Sequence, residues 1–110
     1  MGNTDLSKAN LQEAYFSKGY LRNSKFDEAD FTNAIVDRAN FKGSSLRGAI
    51  FKNTVLTGTS FEDADVENAD FTDAYLGDFD IKNLCKNPTL KGENPITMVD
   101  TRLSVGCKNR

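Results

Sequence analysis

The chain has 110 residues, 38% of them hydrophobic, and its 14 basic and 16 acidic side chains leave a net charge of −2. The hydrophobic share argues against a disordered chain. The balanced charge lacks the basic field that binding to nucleic acid or to an anionic membrane surface requires. No His is present, which removes the commonest general base and metal ligand. We therefore expect no cofactor, no metal site, and neither a nucleic-acid nor a membrane partner.

A strict period of five residues runs through most of the chain. Every fifth residue from Leu6 to Ile81 is large and apolar, and the residue two before each is small from Thr4 to Ala74, until Phe79 breaks the rule. A period of five fits neither an α-helix nor a flat strand. A coil with one side per five residues would point all the large side chains inward, while the small ones let the corners close.

This repeat resembles that of the pentapeptide-repeat family, whose pattern is A-(D/N)-L-x-x. The pattern is matched directly at Ala9-Asn10-Leu11, Ala29-Asp30-Phe31, Ala39-Asn40-Phe41, Ala64-Asp65-Val66 and Ala69-Asp70-Phe71. The resemblance covers about residues 4–83. It implies an all-β solenoid, a right-handed quadrilateral β-helix of about four coils with twenty residues in each. We accordingly predict one β-helix domain over residues 1–83.

A twenty-residue coil also aligns outward-facing residues into columns. One such column is apolar where the family pattern has Asp or Asn, and it consists of Tyr15, Ile35, Val55 and Tyr75. A contiguous apolar surface rimmed by charge often marks an interface. We predict that this column binds a protein partner, and that it or the N-terminal coil supports weak self-association. The alternative is that these side chains pack along the coil corners or are covered by further N-terminal residues.

The period is lost after Ile81, and the remainder predicts a C-terminal cap over residues 84–110. A solenoid end exposes unpaired backbone and apolar core, so the chain has to cover it. We predict a short helix over residues 81–86, capped by Asp80 and ended by Pro88. An irregular segment should then wrap back over the last coil.

Cys85 and Cys107 are the only cysteines, and both lie outside the repeat. A metal site would need more ligands, and a redox-active C-x-x-C spacing is absent. A structural disulfide is therefore the favoured interpretation, and it implies an oxidising compartment. The alternative is a pair of buried free thiols in a cytoplasmic protein.

The segments Cys85–Gly92 and Thr101–Cys107 are similar to the C-terminal signature of thylakoid-lumen and cyanobacterial pentapeptide-repeat proteins. That resemblance implies the thylakoid lumen or a periplasm, with a leader that is absent from this chain, and it implies no known activity. No nucleophile motif or phosphate-binding loop is present. We predict a non-enzymatic protein-interaction or scaffold module, with an unknown protein as its partner.

The alternative function is a DNA-mimicking regulator of a topoisomerase in the cytoplasm. Some members of the family resemble B-form DNA in shape and charge. Those members are longer and strongly acidic, whereas this chain has a net charge of −2. A clustered negative potential and a reduced cysteine pair would favour this alternative.

Overall fold

The computed structural model describes residues 4–19 and 21–107, so residues 1–3 of the predicted domain lie outside the described part. Parallel bridges join residues twenty positions apart and fall into columns that contain Asp5, Asn10, Tyr15 and Asn40. Each bridge pairs single residues rather than extended strands. The bridges give the coil the twenty-residue period that the family resemblance implies, and the count of about four coils stays a prediction.

Each repeat is short because its corner is a β-turn. The N–H of Ala9 donates to the C=O of Leu6 at 3.1 Å, and Lys8, the third residue of that turn, has a φ of 62°. A positive φ at the third residue is the mark of a type II turn, where Gly and Asn are favoured. The chain has Gly at this position at residues 43, 48 and 58, and Asn at residues 23, 33, 53 and 68.

A side-chain hydrogen bond explains the recurring Asp or Asn of the repeat. In Asp30, Oδ1 accepts the N–H of Thr32 at 2.9 Å, and in Asn40 it accepts the N–H of Lys42 at the same distance. The bond satisfies an amide that the turn leaves without a backbone acceptor. The same contact recurs at Asp5, Asn10, Asp65 and Asp70.

Columns of large side chains fill the interior. Phe51 stacks nearly parallel on Phe31 and Phe71, with ring centroids 4.8 and 5.1 Å apart. Neighbouring columns meet edge to face, as Phe51 and Phe61 do at 6.1 Å and 84°. Where a hydroxyl replaces alanine at the small position, it is satisfied internally, since the Thr54 hydroxyl donates to the C=O of Phe31 at 2.7 Å. The core therefore combines apolar burial with aromatic geometry.

Helix α1 spans Asp78–Cys85 and corrects the prediction of a helix over residues 81–86. Asp80 is not its N-cap, because Gly77 occupies that position. Instead Asp80 lies in the first turn, where its Oδ2 accepts the N–H groups of Gly77 at 3.2 Å and Gly58 at 2.9 Å. Because the Asp80 carboxylate accepts the N–H of the N-cap residue, it stabilises a helix that begins at Asp78, three residues before the predicted start. The predicted domain boundary at residues 83 and 84 falls inside α1.

Helix α2 spans Thr101–Val105, within the segment predicted to be irregular. Asp100 is its N-cap and accepts the N–H of Leu103 at 3.0 Å, and Gly106 follows its end with a φ of 92°. The sequence therefore contained an N-cap residue and a C-cap glycine for α2, but the helix between them has only five residues. Neither helix in the described part of the chain is long and apolar enough to cross a membrane.

The predicted disulfide is confirmed: Cys85 and Cys107 are bonded, with their Cα atoms 5.7 Å apart. The bond joins the last residue of α1 to the second residue after α2. The Arg102 guanidinium donates to the C=O of Cys85 at 3.1 Å, which adds a second tie between the helices.

The segment between the helices folds down the outside of the coil. The Asn94 side chain is fully buried and donates to the C=O groups of Gly48 at 3.1 Å and Asn68 at 3.0 Å, which belong to successive coils. An antiparallel bridge between Glu93 and Asp100 closes the base of this segment. The cap thus holds the side of the solenoid as well as its end.

We expect Phe51→Ala to lower the free energy of unfolding by about 3–5 kcal/mol, because the residue is fully buried and stacks on two other rings. Chemical denaturation followed by circular dichroism measures the change. Phe79→Ala is the matched control, since Phe79 is 73% exposed and its loss should change little. Equal destabilisation by both variants would contradict this account of the core.

We expect the Cys85→Ser, Cys107→Ser double variant to lose about 3 kcal/mol of stability, because the bond closes a loop between residues 22 positions apart. The same denaturation experiment should show the same loss when the native chain is fully reduced. A reduced chain as stable as the oxidised one would mean that the helices hold the cap without the disulfide.

Candidate interaction surface

The predicted apolar column is a real column in the structure. Parallel bridges link Tyr15 to Ile35, Ile35 to Val55, and Val55 to Tyr75. The backbone bonds are short, since the N–H of Phe16 donates to the C=O of Ile35 at 2.7 Å. The four side chains therefore stand above one another on a single outer wall, spaced by about 4.8 Å.

The column is largely open to solvent. Tyr15 is 74% exposed, Tyr75 61% and Ile35 40%, while Val55 is half-buried. Ile50 occupies the same position on a neighbouring wall but is only 7% exposed, because the Asn94 segment lies against that wall. Neither corner packing nor the cap hides the apolar column as it hides Ile50. Its role in binding stays a prediction at this point.

The apolar column forgoes a hydrogen bond that the other walls make wherever Asp or Asn stands at this position, although Lys25, Ser45 and Ile50 on those walls forgo it too. An Asp or Asn at this position would accept the N–H two residues later, whereas Ile35 and Val55 carry no polar atom and the Tyr15 hydroxyl stands at the far end of its ring. Among the described residues, the N–H groups at positions 17 and 57 accordingly donate no hydrogen bond. Each missing bond is worth about 0.5–1.5 kcal/mol. The column is thus better explained by a requirement other than folding.

A charged rim borders the column. The Ser17 hydroxyl donates to Asp37 from the coil below, and the Arg38 guanidinium lies 3.1 Å from the same carboxylate. The Ser17 hydrogen bond, aided by Arg38, holds the pKa of Asp37 below its usual value. Asp37 therefore places a hydrogen-bonded negative charge two residues after Ile35. This combination of apolar surface and fixed charge is typical of an interface with a polar rim.

The other outer columns are polar by comparison. Arg47 contacts Asp65 at 3.4 Å and Glu67 at 3.3 Å, and Lys42 lies 3.8 Å from Glu62. Such exposed pairs contribute little to stability. They present a mixed, solvated surface with no distinguishing chemistry.

The structure also contains a groove that the sequence reasoning missed. It has a volume of about 690 Å³ and lies between the coil segment 58–65 and the cap residues of α1 and the turn after it. The available signal was Phe79, where the small-residue rule fails and the chain leaves the coil. In the described residues, no group of three or more acidic or cysteine side chains is arranged to hold a metal ion.

Comparison with known proteins agrees with this architecture. The family model described as Pentapeptide repeats matches eight copies, over residues 4–43 and 37–73. The chain is similar to the crystal structure of a pentapeptide repeat protein from the thylakoid lumen of Arabidopsis thaliana. The identity is 29%, the TM-score is 0.64, and the match covers 98% of this chain and 88% of that one.

A pentapeptide repeat protein from Nostoc is similar in fold, at 20% identity and a TM-score of 0.50, over 72% of this chain and 79% of that one. None of the curated proteins searched matches the chain. Proteins with this repeat adopt a right-handed quadrilateral β-helix and are generally structural or interaction modules. The repeat matches span more than half of the sequence, and the chain therefore belongs to the pentapeptide-repeat family.

Proposed function

We propose that the chain is a non-enzymatic protein-interaction or scaffold module, and that the apolar column of Tyr15, Ile35, Val55 and Tyr75 binds its protein partner. The observation that carries the proposal is that these residues form a contiguous, exposed apolar column at a repeat position where the family pattern has Asp or Asn. A stable fold alone would be better served by the polar residue.

The chemistry of the column suits a protein partner. Its two ends are tyrosines, which combine a large apolar ring with a hydroxyl and are enriched at interfaces. The backbone beneath is fixed by inter-coil hydrogen bonds, such as Val36 N–H to Val55 C=O at 2.8 Å. A surface that is already ordered loses little conformational entropy on binding.

Two observations support a place in the thylakoid lumen or a periplasm. The Cys85–Cys107 disulfide fits an oxidising compartment. The similar Arabidopsis protein is a thylakoid-lumen protein, and the match extends over 98% of this chain, including the cap. The DNA-mimicking alternative fits less well, because the cysteines form a disulfide and acidic residues such as Asp65 and Glu67 share Arg47 as a partner.

The test replaces two residues of the apolar column by Asn, which the family pattern has at this position. We expect Tyr15→Asn combined with Ile35→Asn to abolish partner binding, while the free energy of unfolding changes by no more than about 1 kcal/mol. The new Asn side chains can accept the N–H groups of Ser17 and Asp37, which offsets the lost apolar contact. Immobilised protein incubated with lumen or periplasm extract, followed by quantitative mass spectrometry and a titration with the purified partner, measures the effect.

A matched control is available at the same repeat position on another wall. Lys25→Asn combined with Ser45→Asn changes two bridged residues of one column without touching the apolar column. This variant should bind the partner with unchanged affinity. Partner capture that survives in the first variant, or that is lost equally in both, would refute the proposal.

A further inference from the structure

The groove beside α1 lies along an unfinished edge of the β-helix. One coil earlier, the N–H of Phe41 donates to the C=O of Ser60 at 3.0 Å, and the N–H of Gly43 donates to the C=O of Glu62 at 3.3 Å. The same register would pair Phe61 and Asp63 with residues 80 and 82. Those residues belong to α1, so the coil has no next rung at this place.

As a result, two backbone donors face the groove without a partner. Among the described residues, the N–H groups of Phe61 and Asp63 have no hydrogen-bond acceptor. The neighbouring wall is treated differently, since the N–H of Val66 donates to the Thr89 hydroxyl and that of Asn68 to the C=O of Lys91, both at 2.9 Å. The cap thus completes the next wall, whereas on this wall the Asn87 side chain donates to the C=O groups of Phe61 and Ala64 and leaves the two N–H groups open.

Donors on residues i and i+2 are what an edge strand offers to an extended chain. The groove of about 690 Å³ has the space for a short segment of this kind. Its apolar lining includes Phe61, Leu84 and the exposed ring of Phe79. Phe61 is 8% exposed, whereas Phe51 and Phe71 in the same interior are 0% and 1% exposed, so the groove reaches the core.

The charge of the groove selects the occupant. Four carboxylates line it, those of Glu62, Asp63, Asp65 and Asp80, against the single cation of Lys86. Glu62 and Asp65 have partners in Lys42 and Arg47, whereas in the described part of the chain Asp63 has no ion pair. An incoming lysine or arginine would therefore find an unpaired carboxylate next to the two free amides.

We propose that this groove binds an extended peptide segment bearing lysine or arginine, which continues the ladder past Ser60 by accepting the N–H groups of Phe61 and Asp63. The site lies away from the apolar column, on another wall. Failure of one proposal therefore leaves the other standing.

The test uses the intact, oxidised protein labelled with ¹⁵N, and a hexapeptide of alternating lysine and valine as the probe. We expect saturating peptide to slow amide hydrogen exchange at Phe61 and Asp63 by about tenfold or more, because each amide gains an acceptor. A hexapeptide of alternating glutamate and valine should leave both amides unchanged. Absence of protection with the lysine peptide, or equal protection with the glutamate peptide, would overturn the proposal.

Asp63 and Asp73 form a matched pair for mutation. Both are exposed third residues of their turns with a φ of 57°, a conformation that Asn tolerates well. We expect Asp63→Asn to weaken binding of the lysine peptide by about threefold, the effect of one exposed charge, and Asp73→Asn to leave it unchanged. Equal effects of the two variants would mean that the peptide follows overall charge rather than the groove.

Two further outcomes identify other occupants. Protection of Phe61 and Asp63 without peptide that disappears when residues 108–110 are removed would assign the groove to the chain's own C-terminus. Protection without peptide that rises with protein concentration would assign it to a second copy. Either result would overturn the proposal of a separate basic peptide.

Discussion

The inter-coil hydrogen-bond register is the constraint on which the rest of the structure depends. Each wall is held by bonds between residues about twenty positions apart, such as Val55 N–H to Ala34 C=O at 3.0 Å and Val36 N–H to Val55 C=O at 2.8 Å. A slip by one residue would turn Phe51 and its column neighbours outward. The backbone ladder and the apolar core therefore specify the same arrangement, and neither holds without the other.

The inter-coil hydrogen bonds end at the last coil, where the C-terminal cap supplies acceptors for some of its N–H groups. Hydroxyls from the cap take the place of carbonyls, since Thr89 accepts the N–H of Val66 and Ser104 accepts the N–H of Phe71, each at 2.9 Å. The disulfide then fixes the two helices together. The chain turns into α1 before it can form another β-bridge above Ser60, and this creates the groove.

The surface features with distinctive chemistry both arise where the repeat departs from its own pattern. In the apolar column, Tyr15 and Ile35 replace the Asp or Asn that would bond the turn amide. In the groove, Phe79 replaces the small residue, and the chain turns into α1. A regular repeat is well suited to folding, so its exceptions are the natural places to look for binding.

The sequence by itself determined the five-residue period and the identity of the core, and it favoured one disulfide; the family resemblance implied the twenty-residue coil and thereby the membership of the apolar column. These follow from a strict five-residue pattern and a single cysteine pair, which leave few physical alternatives. The helices of the cap were decided only by tertiary structure. Asp80 acts as a first-turn carboxylate because Gly58 and Gly77 present their amides to it from two places in the chain.

Tertiary contacts also decided two features that the sequence did not predict, namely the burial of Ile50 and the groove. Ile50 reads as outward-facing from the period, yet it is 7% exposed because Asn94, far away in sequence, bonds the carbonyls beside it. The groove exists because α1 leaves the coil at this place, and among the described residues the N–H groups of Phe61 and Asp63 then have no acceptor. A repeat pattern records what each residue does within its own coil. Contacts made across the coil by a non-repeating segment leave no period in the sequence, so only the folded structure could decide them.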